Sequence, residues 1–296
     1  MLIEQFIKYL KYEKRFSKHT IRAYQNDLRQ FYEYLEQSKR GDDILSQQDL
    51  DKQIRSWIVH LMEEEISERT INRKISTLKS FFKYLRRTGK IEQDPIAKII
   101  NPKVSKRLPT FVDEEHMEIL ENSNLFTNDF YGKRDRLIVE MLYQTGMRVS
   151  ELVEIRNDDV DLTGKQLKVH GKRNKERIIP INEGLVDLIK EYKVLRDNQF
   201  RRFSEDHLLV TNKGKKLYAK SVYRVVRNYL AIVTTLEQKS PHVLRHSFAT
   251  HMLNHGADLN AIKELLGHAN LSATQIYTHN SFEKLKEIYK QAHPRN

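Results

Sequence analysis

Three cations stand beside predicted turns in the second half of the chain, where they would suit a bound phosphate. Arg148 follows Thr145-Gly146 and begins a predicted helix. Arg245 lies three residues after His242 on another predicted helix, and Lys172 falls in the turn of a predicted hairpin. The planar fork of an arginine matches two phosphate oxygens, and a helix N-terminus favours an anion. The set is typical of phosphoryl chemistry, although each residue alone is equally explained as a surface cation.

Histidines near the end of the chain suggest a different chemistry, a metal site. Six of the twelve histidines lie there: His242, His246, His251, His255, His268 and His279. Two pairs have the four-residue spacing that places both rings on one face of a helix. No glutamate stands inside either pair, as the zinc-protease pattern requires, and the chain has no cysteine. We therefore favour packing and surface roles for these histidines, and predict no metal site and no cofactor.

The charge of the chain points to a polyanionic partner. Its 296 residues include 52 Lys+Arg and 40 Asp+Glu, a formal net charge of +12, and nucleic acid is the first candidate for a partner. The length suggests two domains. The absence of cysteine excludes disulfides, thiolate metal sites and a cysteine nucleophile. No apolar run approaches the ~18 residues of a membrane span, so we predict no membrane partner. The absence of cysteine fits a reducing compartment, and we predict a cytoplasmic protein.

Apolar periodicity predicts a mainly α protein. Residues 1–94 have helical spacing, with Ser17 as an N-cap, a capping box at Ser46, and the clearest helix over 70–88. Three of the six prolines fall in 95–109, which we interpret as a linker. Residues 110–296 form the larger unit, with a hairpin of strands 166–170 and 176–181. Further helices are predicted at about 131–143, 148–153, 182–197, 218–231, 243–254, 258–266, 270–277 and 282–291.

The helix over 70–88 carries charge of one sign. Eight basic residues and no acidic residue lie between Arg69 and Lys90. Solvated faces usually mix signs, so this one indicates a helix laid against a phosphate backbone. The predicted DNA contacts on this helix are Arg69, Arg73, Lys79, Lys83, Arg86 and Lys90.

Four sequence blocks carry a family resemblance. TGMRVSELVEI at 145–155, VHGKRNKERIIPI at 169–181, PHVLRHSFATH at 241–251 and LLGHANLSATQIYTH at 265–279 occur in this order. The chain resembles the tyrosine site-specific recombinases, and is most similar to their Xer-type branch, which SKHTIRAYQNDLRQF at 17–31 also fits. The resemblance spans nearly the whole chain. It implies a SAM-like core-binding domain followed by a mostly α catalytic domain with a small antiparallel sheet.

The resemblance also implies a set of catalytic residues. They are Arg148, Lys172, His242, Arg245, His268 and the nucleophile Tyr277. Arg173 stands where the family more often has glycine, so Lys175 is a rival for the catalytic lysine, and Arg173 is a further predicted DNA contact. Tyr277 would form a 3′-phosphotyrosine, and a 5′-hydroxyl would rejoin the strands without metal or ATP.

The implied partners are double-stranded DNA at a palindromic recombination site and other recombinase subunits. The assembly would be a homo-tetramer, or a hetero-tetramer with a second recombinase, and a DNA translocase is a further candidate partner. The apolar residues of the last helix would dock on a neighbouring subunit, or else on their own domain: Phe282, Leu285, Ile288 and Tyr289. Glu151 is expected to support an arginine.

Several alternatives remain open at this point. Chromosome-dimer resolution is the leading biological role, and integration of a mobile element is the alternative. A non-catalytic architectural DNA-binding protein would share the charge but would not need Tyr277. A metal-dependent phosphodiesterase would use the histidine cluster, and a type IB topoisomerase would relax DNA without a specific site.

Overall fold

The chain divides into two compact units, Met1–Arg107 and Leu108–Asn296. The computed structural model describes residues 2–37, 50–104, 110–122, 124–171, 176–200, 206–267 and 279–295. These residues are mostly helical and include one small antiparallel sheet, which confirms the predicted fold class. No helix in these ranges is both long and apolar enough to cross a membrane.

The first unit consists of amphipathic helices around one core. They are α1 (Leu2–Tyr12), α2 (Lys18–Gln37), α3 (Leu50–Glu63) and α4 (Glu68–Arg87). The predicted apolar stripe of α4 faces this core, because Ile71, Ile75, Leu78, Phe82 and Leu85 are all buried. Ser17 caps α2 as predicted, since its Oγ accepts the Thr20 amide at 3.2 Å. The capping box predicted at Ser46 lies outside the described residues.

The segment predicted as a linker begins by folding against the first unit. Asp94 opens a turn in which its carbonyl accepts the Ala97 amide at 3.2 Å. Ile96 and Ile99 are buried in the core of the helical unit. Proline at position 95 suits such a turn as well as it suits extended chain. Residues 105–109 lie outside the described residues.

The second unit contains the remaining helices. They are α5 (Glu114–Asn122), α6 (Phe130–Thr145), α7 (Val149–Leu152), α8 (Glu183–Gln199), α9 (Ala219–Val233), α10 (Pro241–Asn254), α11 (Leu259–Leu266) and α12 (His279–Ala292). All but α5 were predicted to within a few residues. Helix α5 was missed because it is short and buries only Met117 and Leu120, too few positions to show a period. The helix predicted at 270–277 lies outside the described residues.

A three-stranded antiparallel sheet packs on these helices in the order β1 (Val160–Asp161), β2 (Gln166–His170), β3 (Glu176–Pro180). The predicted hairpin is confirmed as β2 and β3, with Val169 opposite Arg177. Strand β1 has two residues, too few for alternation to reveal it. Leu167, Val169 and Ile179 point into the core.

Helix α12 packs on its own unit. Leu285, Tyr289 and Ala292 are buried in the core of that unit. The backbone oxygen of Ala292 lies 3.1 Å from Nδ1 of His255, and Asn182 donates to the Arg295 carbonyl at 2.5 Å. Of the two dockings considered from the sequence, the single chain adopts docking on its own domain.

Candidate active site

Arg148 is fixed at the start of α7 by a buried carboxylate. It is the N-cap residue of that helix, and its backbone amide donates to Oε2 of Glu151 at 2.9 Å. Its Nη1 donates to Oε1 of the same carboxylate at 2.8 Å. The Arg148 side chain keeps 31% of its surface exposed, whereas that of Glu151 keeps 4%. Glu151 therefore supports the arginine, as expected, and leaves part of the guanidinium open to solvent.

Arg245 is more deeply buried and is held by backbone carbonyls. It lies on α10 and is 8% exposed. Its Nη1 donates to the Gly146 carbonyl at 2.6 Å, and its Nη2 donates to the Leu266 carbonyl at 2.9 Å. Burial, with the nearby charge of Arg148, lowers the pKa of Arg245 to about 10, so the group stays protonated at neutral pH.

A third arginine, Arg177, joins this cluster and was missed from the sequence. It is 5% exposed on β3. Its Nε donates to the Leu265 carbonyl at 2.7 Å, and its Nη2 donates to Oε2 of Glu151 at 2.8 Å. Its only sequence signal was its place in a basic hairpin, where every neighbouring cation looked equally suitable.

The last turn of α11 is the common acceptor for all three arginines. The Leu265 carbonyl accepts from Arg177 and the Leu266 carbonyl accepts from Arg245. The Gly267 carbonyl accepts from Nη2 of Arg148 at 3.3 Å. Cations at a helix C-terminus complement both its unpaired carbonyls and its dipole. The arrangement gathers residues from α7, α10 and β3 at one place.

Gly267 ends α11 with a left-handed backbone, φ +64°. A Cβ there would lie 3.1 Å from Nη1 of Arg177, against the guanidinium. Glycine is required both for the backbone conformation and for the close approach of the arginine.

Glu151 remains ionised between these cations. Burial, the largest single influence, raises its pKa, but the hydrogen bond and charge of Arg177 together with the contacts from Arg148 outweigh it and hold the pKa below its usual value. The carboxylate therefore keeps a negative charge between two guanidinium groups at neutral pH.

His242 lies on α10 one turn before Arg245, at the surface of the cluster. Partial burial, followed by the positive charges of His246, Arg245 and Arg148, lowers its pKa below the usual value. At neutral pH the ring is therefore uncharged and has a nitrogen that can accept a proton.

The structure thus brings together three of the predicted catalytic residues: Arg148, His242 and Arg245. Lys172, Arg173 and the rival Lys175 lie outside the described residues, as do His268 and Tyr277. In the sequence, His268 follows Gly267 directly, and Lys172, Arg173 and Lys175 fall between β2 and β3.

The second histidine pair, His251 and His255, makes contacts within its own unit. The Nδ1 atom of His251 lies 2.8 Å from the Tyr143 hydroxyl in the core, and His255 contacts α12 and Glu114. Among the residues that the structure describes, no three His, Asp or Glu side chains form a group that could hold a metal ion.

The predicted DNA contacts Arg69, Lys79, Lys83 and Arg86 on α4 are exposed, as is Lys90, which follows the end of the helix. Arg73 pairs instead with Asp27 of α2, and its side chain is 45% exposed. The neighbouring Lys74 is buried beside the same carboxylate. The positive charge of α4 is therefore balanced in part by Asp27, which is distant in sequence.

A second basic face lies on α9 and was not singled out from the sequence. Lys220, Arg224 and Arg227 are exposed at four- and three-residue steps, with exposed Tyr223 between them. No acidic residue occurs in this helix, and its other side is buried. A helix face with charge of one sign indicates contact with a phosphate backbone here as it does on α4. Counting basic and acidic residues along the sequence would have identified this face as well.

Two family models match the chain. The phage integrase family model matches residues 110–284, and the model of the phage integrase N-terminal SAM-like domain matches residues 3–89. Tyrosine recombinase XerC of Chlorobaculum parvum is 38% identical, over 99% of this chain and 94% of that protein. Tyrosine recombinase XerD of Staphylococcus haemolyticus is 37% identical, over 99% of both.

Solved structures share the fold. The XerH site-specific recombinase bound to its difH substrate, in a pre-cleavage complex, has a TM-score of 0.68 at 22% identity, over 99% of this chain and 82% of that one. XerA recombinase has a TM-score of 0.50 at 27% identity, over 100% of this chain and 99% of that one.

A helical SAM-like unit followed by a domain with clustered arginines defines the class. The chain belongs to the phage integrase family. It is a Xer-type tyrosine recombinase, an enzyme of site-specific DNA recombination.

Proposed function

We propose that this recombinase cuts and rejoins double-stranded DNA at a palindromic chromosomal site and thereby resolves chromosome dimers. The observation that carries the proposal is the convergence of Arg148 and Arg245 on carbonyls at the end of α11, with His242 one turn before Arg245 on α10. The similarity to proteins named XerC and XerD supports the biological role. Chromosomal DNA as substrate places the enzyme in the cytoplasm.

In this proposal each residue has one role. Arg148 and Arg245 bind the non-bridging oxygens of the scissile phosphate, where charge develops during attack. His242 accepts the proton of the Tyr277 hydroxyl, whose ordinary pKa near ~10 keeps it un-ionised at neutral pH. Lys172 donates a proton to the leaving 5′-oxygen, and His268 adds a hydrogen bond to the phosphate. The product is a 3′-phosphotyrosine and a free 5′-hydroxyl, which can later attack to rejoin the strands.

The arginines are suited to this task because their positions are set before DNA binds. Gly146, Leu266 and Gly267 provide carbonyls that hold the two guanidinium groups by part of their donors. Each guanidinium has five N–H donors, so others remain for phosphate oxygens. Donors fixed in advance do not have to reorganise during the reaction, which is the main source of electrostatic stabilisation in enzymes.

The exposed basic faces of α4 and α9 would bind the DNA backbone. Four active sites act on two duplexes, so the working form is a tetramer on DNA, either of identical subunits or with a second recombinase. The helix α12, which packs on its own unit in the single chain, is proposed to dock on a neighbouring subunit in that tetramer. A DNA translocase is a candidate activator.

The experiment uses nicked suicide duplexes that carry candidate palindromic sites. Wild-type protein and Tyr277→Phe are incubated with them in EDTA, and protein–DNA adducts are resolved on a denaturing gel. We expect an adduct from wild type alone. An adduct from both proteins would mean that the nucleophile is a residue other than Tyr277. If wild type binds tightly but forms no adduct, a second recombinase is added to the reaction. If no adduct forms even then, the result favours a non-catalytic architectural protein.

A further inference from the structure

We propose that Arg177 is a positioning residue for strand cleavage, which sets Arg148 through Glu151 and at the same time fixes the end of α11. The inference rests on the proposed function, because it concerns the same active site. Arg177 is 5% exposed, and its Nε and Nη2 donors are already bonded to the Leu265 carbonyl and to Glu151. We therefore assign its effect on the reaction to the groups that it contacts.

The first of these groups is the Glu151 carboxylate. Oε2 accepts from Nη2 of Arg177 at 2.8 Å and from the Arg148 amide at 2.9 Å. Oε1 accepts from Nη1 of Arg148 at 2.8 Å. Arg177 holds the carboxylate from the buried side while Arg148 holds it from the open side. The orientation of the Arg148 guanidinium thus depends on a carboxylate that Arg177 orients.

The second group is the Leu265 carbonyl, which accepts from Nε of Arg177 at 2.7 Å. The two carbonyls that follow it accept from Arg245 and Arg148. Because these carbonyls belong to one turn of chain, fixing the first places the next two. The chain then continues directly into His268.

Only arginine can make both contacts at once. Its Nε and Nη2 lie on one edge of a rigid plane, so one side chain donates to a carbonyl and to a carboxylate in a fixed relation. A lysine keeps the charge but is a single point donor, so it would have to share one nitrogen between the two acceptors. Arg177→Lys therefore separates geometry from charge.

The second unit contains a matched control, Arg196 on α8. It is 2% exposed, its Nη1 donates to the Leu208 carbonyl at 2.9 Å, and its Nε donates to the Asp197 carboxylate at 2.8 Å. Like Arg177, it is buried and joins a carbonyl to a carboxylate, but neither partner contacts Arg148 or Arg245. Arg196→Lys therefore measures how much stability the same substitution costs at a buried arginine that does not contact the active-site arginines.

The test measures the single-turnover rate of adduct formation at saturating protein, on the duplex that wild type cleaves. Displacing a catalytic group by about 1 Å can cost about 100-fold in rate, and we expect Arg177→Lys to lose about that much with an unchanged DNA Kd. Arg196→Lys should lower Tm but leave the rate unchanged. Arg177→Gln, which keeps a donor for the Leu265 carbonyl, is made in parallel in case the lysine variant does not fold.

A double-mutant cycle with Glu151→Gln tests the route of the effect. If Arg177 acts partly through Glu151, Arg177→Lys should cost less in the Glu151→Gln background than in wild type, and the loss that remains measures its contact with the Leu265 carbonyl. Additive losses would overturn the proposed route, and equal slowing by Arg177→Lys and Arg196→Lys would overturn the positioning role. Unaltered cleavage by folded Arg177 variants would do the same. Failure of wild type itself to form an adduct would instead refute the proposed function.

Discussion

The basic face of α4 and the arginine cluster at the end of α11 use their cations in opposite ways. On α4, Lys79, Lys83 and Arg86 are exposed. In the second unit, Arg177 and Arg245 are buried, and Arg148 is partly buried, with each guanidinium tied to carbonyls or to Glu151. Exposed cations are suited to binding a phosphate backbone along its length. Buried and hydrogen-bonded cations are suited to holding positive charge at a fixed position beside one phosphate.

The difference separates affinity from chemistry. Exposed lysines bind a phosphate backbone largely by releasing its counterions, and their exact positions matter little. A group that stabilises a transition state must already stand where charge develops. Substitutions on the exposed α4 face and in the arginine cluster should therefore change different measurements.

The largest effect is expected from Arg245→Lys. The substitution keeps the charge but loses the fork that donates to the Gly146 and Leu266 carbonyls. Removing one preorganised donor from a charge-stabilising site costs roughly 100- to 1000-fold in rate. Single-turnover cleavage should fall by about that factor while the DNA Kd stays the same. A matching loss of affinity would show that this arginine serves binding, and the comparison would fail.

Asp27→Asn tests a place where the first unit also buries a cation, Lys74. Asp27 accepts from Thr77 at 2.8 Å and pairs with Arg73 and the buried Lys74, whose pKa burial lowers. Removing one partner of a buried ion cluster costs about 3 kcal/mol in free energy of unfolding, measured by urea denaturation. The control is Glu13→Gln, which breaks the exposed pair with Arg87 and should cost at most about 1 kcal/mol. Equal losses from both would contradict a structural role for the buried cluster.

A buried histidine provides a third test, because its burial in the second unit keeps the imidazole ring uncharged. His293 packs among Tyr143, Phe248 and Tyr289, and burial lowers its pKa to about 3. Docked α12 holds this ring neutral, whereas the undocked ring takes a proton below its ordinary pKa near ~6.5. Stability is therefore lost as the pH falls through that value, by about 2 kcal/mol between pH 6.5 and 5.

Thermal melts of the wild type across this pH range would measure the loss. His293→Gln removes the titrating group and should flatten the profile. An equally steep profile in the variant would assign the pH dependence to other groups.

The smallest effect is expected from neutralising the exposed face of α4. Changing Lys79, Lys83 and Arg86 together to glutamine should reduce the slope of log K against log salt by about 3, roughly one for each lost phosphate contact. Cleavage at saturating protein should not change. The control replaces Lys8, Lys11 and Lys14, exposed on and just after α1, with the same loss of net charge. Equal weakening by the control would mean that total charge, not the α4 face, carries the binding.

Local patterns determined how much could be predicted from the sequence. The α4 stripe and the β2–β3 hairpin repeat at fixed steps, so periodicity alone located them. Arg177 could not be found in this way, because its partners are 26 and 88 residues away and only the fold brings them near. The pairing of Arg73 with Asp27, 46 residues away, is hidden for the same reason. Arg148 and Arg245 stood out from the sequence as cations beside predicted turns, and their catalytic role was assigned through the family motifs.

The shared acceptor at the end of α11 has a consequence for heat inactivation. This eight-residue helix binds Arg177, Arg245 and Arg148 through successive carbonyls, so one local unfolding event would release all three. Local openings of native proteins can occur at lower free energy than global unfolding. Activity should then disappear in a single step on heating, at a temperature below that at which the two cores melt.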